Sequence, residues 1–151
     1  MALVGITVRI RTGRPYLRAV VLDDPAPGSP ARTFDYLAAA GDGQADQVHG
    51  LADALRTELT AVVGPIEAVV VREADDGARG GLTSGRKARA RAEGAVLDVA
   101  RGRTVKVDVM SGPQIGRACG GNLGSAETLA AEEVDAAWVE AASAALAARS
   151  L

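Results

Sequence analysis

The chain has little that could staple or anchor it. A single cysteine, Cys119, among 151 residues can form neither an intramolecular disulfide nor a thiolate metal cluster, which excludes a cystine scaffold. No apolar run approaches the roughly 18 residues needed to cross a membrane. The stretch from Met1 to Gly13 lacks a signal peptide's long apolar centre, so a cytoplasmic location is expected. The only histidine, His49, lies outside the apolar stripe of its helix with no ligands at metal spacing, and reads as a boundary residue. Lysine occurs only as Lys87 and Lys106, against 15 arginines, while alanine makes up about a fifth of the chain. That bias points to a high-GC bacterium and carries no functional information.

What remains is a globular composition. Hydrophobic residues make up 48% and charged residues 24%, and the length suits one domain over residues 1–151. The formal net charge of −2 argues against a protein that coats nucleic acid nonspecifically, but leaves room for a local basic surface.

Two periodicities organise the chain. Val4, Ile6, Val8 and Ile10 alternate with their neighbours as a strand does, and Thr12-Gly13-Arg14-Pro15 turns into a second strand, Tyr16 to Leu22. The proline-rich segment Asp24 to Pro30 is a loop, and Ala31 to Leu37 a short third strand. From Asp46 the period changes: Val48, Leu51, Leu55, Leu59 and Val62 share one helical stripe, which Gly64-Pro65 ends. Ile66 to Val71 is nearly continuous apolar, as in a strand covered on both faces. Ser84 is a candidate cap for a helix reaching Ala100. Thr104 to Val109 alternates again, with Val105, Val107 and Val109 on one face. Glycines break Gly112 to Gly124, and Ser125 opens an alanine-rich helix to the C-terminus, anchored by Trp138. The order β-β-β-α-β-α-β-α predicts an α/β fold with a mixed sheet and helices packed on its faces.

Three features carry chemistry. Gly80 and Gly85 have the spacing of a phosphate loop, but Arg86 and Lys87 occupy the lysine and hydroxyl places, so the Mg²⁺ ligand of that motif is missing. The same stretch holds Arg79, Arg86, Lys87, Arg89 and Arg91, a cationic cluster suited to nucleic-acid phosphates. A solvated helix face with Arg89 and Glu93 paired is the plainer account of it. No aromatic residue interleaves with these charges, which argues against a base-stacking platform. The third feature is acidic: Glu73 follows the central strand, while Glu132 and Asp135 are three apart in the expected last helix. Together they could share hard divalent cations such as Mg²⁺, which activate water in phosphodiester cleavage; ordinary helix-surface charge is the plainer account here too.

The element order resembles the RNase H-like fold, and within it the RuvC-type Holliday junction resolvases. The resemblance runs through Val4-Gly5-Ile6, the helix segment Ala90 to Leu97, the strand Val105 to Val109 and Gly112 to Arg117. It continues in Gly121 to Glu127 and ends in Glu132-Glu133-Val134-Asp135-Ala136-Ala137, so it spans most of the chain. It implies a metal-dependent endonuclease with four carboxylates. Here Thr7 stands where the family carries an aspartate after Gly-Ile. The family's glutamate at the end of the fourth strand falls at Arg72 or, with a slip of one residue, at Glu73. The closing pair of acids is matched by Glu132 and Asp135, and the segment before them leaves little room for the family's extra helix.

These departures set the expectation: a divergent, catalytically impaired RuvC-like domain that retains binding to branched or duplex DNA. Two alternatives stand beside it. One is an active Mg²⁺-dependent, structure-selective nuclease with Glu73, Glu132 and Asp135 as catalytic metal ligands. The other is a non-enzymatic module that forms a homodimer or docks a protein partner through the small side chains of its last helix.

Overall fold

The structure is a computed structural model that describes residues 1–23, 31–74 and 83–151. The loop Asp24 to Pro30, Arg79 and the glycines Gly80 and Gly81 lie outside the described residues. Two ten-residue strands, β1 (Ala2–Arg11) and β2 (Arg14–Asp23), form a hairpin. Its two-residue turn, Thr12-Gly13, has positive φ at both positions (50° and 76°), the backbone twist that suits tight hairpins. A short edge strand, β3 (Arg32–Leu37), pairs antiparallel with β2. Beyond helix α1 (Gln44–Thr60), strand β4 (Ile66–Arg72) lies parallel to β1. Helix α2 (Ser84–Arg101) then leads to β5 (Val107–Met110), parallel to β4. The five-stranded sheet has the order β3-β2-β1-β4-β5, so β1 and β4 are central, as the apolar run in β4 requires.

Alternation along the strands sends side chains to two different cores. Val4, Ile6, Val8, Leu17, Ala19, Val69 and Val71 meet Leu51, Leu55 and Leu59 of α1 and Ala92 and Val96 of α2. Each of the three α1 leucines is fully buried, a contribution of about 1.5–3 kcal/mol apiece. The opposite face is covered by α3 (Gly112–Ala118), α4 (Leu123–Ala131) and α5 (Val139–Ala147). There Leu3, Val70 and Met110 meet Ile115, Ala126 and Ala144, while Val20 and Leu22 meet Ala130, Ala141 and Ala145.

Gly5 explains why the last helix is rich in alanine. A Cβ at Gly5 would stand 1.9 Å from the Ala141 carbonyl oxygen and 2.3 Å from the Ala145 nitrogen. The backbone of α5 therefore lies directly on β1, a separation only glycine opposite small residues permits. Ala141, Ala142, Ala144, Ala145 and Ala147 are buried inside the fold, so these small side chains are not a free surface for a partner.

The C-terminal third departs most from expectation. The glycine-broken segment holds a helix, α3, which starts where Gln114 Oε1 accepts from the Ser111 amide at 2.7 Å. Gly116 then lets the chain double back, since a Cβ there would lie 2.4 Å from the Asn122 carbonyl carbon. Asn122 rather than Ser125 caps the next helix, accepting from the Ser125 amide at 2.9 Å. The single long helix expected from Ser125 is two helices, with Asp135 extended (φ −65°, ψ 157°) before a short 3-10 turn, Ala136–Trp138. Glu132 and Glu133 lie at the negative end of α4, where carboxylates are disfavoured and help end the helix. Smaller corrections concern Thr83, which caps α2 in place of Ser84, and Val105, which is 92% exposed ahead of β5.

Candidate functional site

The residues that matter project from β1, β2 and β4 toward α5. In the parallel ladder Thr7 of β1 is the partner of Arg72, the last residue of β4. In the antiparallel ladder Thr7 faces Arg18, and Arg9 faces Tyr16. Gly5, Thr7 and Arg9 share a face, so the close seat of α5 on Gly5 places the start of that helix above Thr7.

Two ion pairs organise this cleft. Thr7 and Arg72 are 5% and 4% exposed, and Arg72 Nη1 donates to Glu127 Oε1 of α4 at 3.0 Å. A guanidinium so deep is tolerable only because a carboxylate meets it. Arg9 Nη2 donates to Glu140 Oε2 of α5 at 2.5 Å. Arg18 is held harder. Its Nε donates to Tyr16 Oη at 2.9 Å and its Nη1 to the Ala137 carbonyl at 2.6 Å. Its guanidinium carbon lies 5.1 Å from the centre of the Tyr16 ring and 5.5 Å from that of Trp138. Tyr16 Oη in turn donates to Asp35 Oδ2 at 2.7 Å. Thr7, Arg9, Tyr16, Arg18, Ala137 and Glu140 line a hollow of about 240 Å³.

The acids singled out from sequence fall elsewhere. The ladder puts Arg72, not Glu73, beside Thr7; Glu73 lies one residue past the strand, exposed, with its amide bonded to the Met110 carbonyl at 2.9 Å. Glu132 and Asp135 do not share a helix face, because the helix breaks between them. Both are exposed and line a separate hollow of about 390 Å³ with Glu133, Val134 and Trp138. Glu73 lines neither hollow. Among the described residues no group of three or more His, Cys, Asp or Glu side chains could hold a metal ion.

In the cationic cluster, Arg86, Lys87, Arg89 and Arg91 occupy the first half of α2, and Arg79 lies outside the described residues. Lys87 and Arg91 are exposed. Arg89 pairs with Glu93 at 3.2 Å and Arg91 donates to Gln44 at 2.5 Å, so part of the cluster is engaged within the protein.

Sequence reasoning passed over Arg9, Arg18, Glu127 and Glu140. The signal was present in β1 and β2: Arg9 follows Gly5 and Thr7 on one face of β1, and Arg18 interrupts the apolar run of β2 opposite Thr7. A charge there must meet a partner, since an inward charge without one is costly. The partners come from helices whose placement spacing along the chain does not reveal.

The donor set can be judged chemically. Hard divalent cations take several oxygen ligands, chiefly carboxylates. The hollow offers a neutral hydroxyl and one carboxylate held by Arg9, and the ladder neighbour of Thr7 is a buried guanidinium, Arg72, that holds the Glu127 carboxylate. These residues do not fit an Mg²⁺ pair. They fit an anion, since guanidinium forks match the oxygens of carboxylates and phosphates.

Comparison with solved structures places the architecture. Thermus thermophilus RuvC superposes with a TM-score of 0.73 at 19% identity, covering 99% of this chain and 94% of that one. Thermus thermophilus RuvC in complex with a Holliday junction substrate gives 0.70 at 17% identity, with 99% and 93% coverage. No protein-family model matches the chain, and no curated protein matches it in sequence. The chain has the RuvC-like RNase H fold that its element order implied. Among the described residues no helix is long and apolar enough to cross a membrane.

Proposed function

We propose that this chain is a divergent RuvC-like domain that binds branched or duplex DNA and does not hydrolyse it. One observation carries the reading: Arg72 is buried beside Thr7 and paired with Glu127, where the resemblance calls for carboxylates. A positive charge at that point opposes the cations that would activate water and stabilise the leaving oxygen. The loss concerns chemistry rather than architecture, since α5 still closes over the cleft. The similarity to a RuvC bound to a Holliday junction supports branched DNA as the ligand class. The exposed cations Lys87 and Arg91 of α2, with Arg86 and Arg79 near them in sequence, would supply phosphate contacts.

The test is a titration of a labelled four-way DNA junction, with duplex and single-strand controls, in Mg²⁺, in Mn²⁺ and in EDTA. The same samples are then run on a denaturing gel. Salt-sensitive junction binding with intact strands is the expected result. Metal-dependent cuts would overturn the reading and restore a working nuclease, with Glu73, Glu132 and Asp135 as the first residues to replace.

A further inference from the structure

We infer that the hollow above β1 and β2 binds a phosphate group directly, through Arg9 and Arg18 and without a bridging metal. The inference rests on the reading that ion pairs have displaced the carboxylate centre, and it names the ligand that the altered cleft takes. Of the ionisable side chains lining the hollow, Arg9 and Arg18 contribute +2 and Glu140 contributes −1, a balance of +1. Asp35, the nearest further acid in this network, is engaged by the Tyr16 hydroxyl.

Arg18 is a prepared anion ligand. Bonds to Tyr16 and to the Ala137 carbonyl occupy Nε and Nη1, and the rings of Tyr16 and Trp138 hold its plane. A guanidinium has five N–H donors, and among the described residues none takes a bond from Nη2, which is left to a ligand. Ordering this side chain costs nothing further at the moment of binding. Among the described residues Arg9 donates through Nη2, to Glu140, and keeps its other donors. The Thr7 side chain lines the same hollow, and its hydroxyl can donate to a third oxygen. Donors from two guanidiniums and a hydroxyl converge on one small space from three residues, which suits the several oxygens of a tetrahedral oxyanion. Glu140, already seated on Arg9, acts as the internal competitor that an incoming phosphate displaces or shares.

A nucleic-acid backbone and a small phosphomonoester offer the same group, and separate arms of one experiment distinguish them. Trp138 is the sole tryptophan and stacks on Arg18, so its emission reports on the site. The first arm titrates inorganic phosphate against chloride at matched ionic strength in EDTA. A saturable change in emission is expected. Arg9→Gln should weaken it at least about fivefold, as loss of a charge-assisted contact does, and Glu140→Gln should tighten it about threefold by removing the competitor. Both residues are partly exposed, and circular dichroism checks that each variant folds.

A flat titration in wild type and in Glu140→Gln overturns the inference. A response that Arg9→Gln leaves unchanged overturns it too, since the ion is then bound elsewhere. The second arm titrates the four-way junction with wild type and Arg9→Gln. Weaker junction binding by the variant supports the pocket with a backbone phosphate as its source. Unchanged junction binding beside a lost phosphate response supports it with a small phosphomonoester. Junction cleavage bears on the parent reading alone, so the two fail separately.

Discussion

Thr7 and Arg72 are neighbours across the central parallel ladder, both almost wholly buried, and Arg72 reaches from that position to Glu127 of α4. The pair decides the character of the cleft. A hydroxyl and a guanidinium stand at the meeting of β1 and β4, and the guanidinium carries its counter-charge from a helix on the same face of the sheet.

The Arg72–Glu127 pair should behave as a buried ion pair with one end open to solvent. Glu127→Ala is expected to cost about 2–3 kcal/mol, less than a fully enclosed pair because Glu127 is about a third exposed. Replacing both by leucine should recover much of that loss. Urea denaturation of Arg72→Ala, Glu127→Ala and the double alanine variant measures the coupling. Full additivity of the single losses would mean that the two side chains do not support each other.

Charge inversion at the ladder pair should invert the response to metal. Wild type is expected to keep the same melting temperature with and without Mg²⁺. Thr7→Asp combined with Arg72→Glu should melt lower in EDTA, because like charges crowd beside Glu127, and should regain stability when Mg²⁺ is added. Differential scanning fluorimetry reads both. A wild-type protein stabilised by Mg²⁺ would count against the displaced centre.

Gly5→Ala tests the seat of α5. The added methyl meets backbone atoms of Ala141 and Ala145 that have no rotamer to change, so the helix must lift. A loss of about 3 kcal/mol or more is expected, at the upper end for overpacking. Trp138 emission should shift as its contact with Arg18 opens. Gly94→Ala, at an α2 position with open space around it, should be neutral or stabilising by up to about 1 kcal/mol through helix propensity.

Cys119 carries a pH signature. Burial pushes its thiol pKa up from the ordinary value, and Arg149 only partly offsets this. Alkylation by iodoacetamide should therefore lag behind that of a free thiol at mildly alkaline pH and accelerate only at higher pH. Because folding raises this pKa, the unfolded chain gives up its proton first. The contribution to stability is complete below the unfolded thiol's pKa and is lost as pH rises through the folded value. A Cys119→Ala variant should lose that alkaline dependence and keep the rest of the stability profile.

The sheet was legible in the chain because its rules are local. Period-two alternation in β1 and β2, the continuous apolar run of β4 and the leucine stripe of α1 each follow from how one element buries its own surface. The element order then restricts the topology to a few choices, and resemblance picked the one found. The cleft obeys other rules. Whether Arg72 or Glu73 stands beside Thr7 depends on a register that backbone pairing between two distant strands sets. Where the closing acids lie depends on the helix break at Glu132 to Asp135, which places Glu140 rather than Glu132 over β1. Arg9, Arg18, Glu127 and Glu140 find their partners across 131, 119 and 55 positions of sequence. Local patterning determined which segments are strands and helices, because burial of one face is a property of each segment alone. Only the packed fold decided which charges meet, because that depends on how α4 and α5 settle on the sheet.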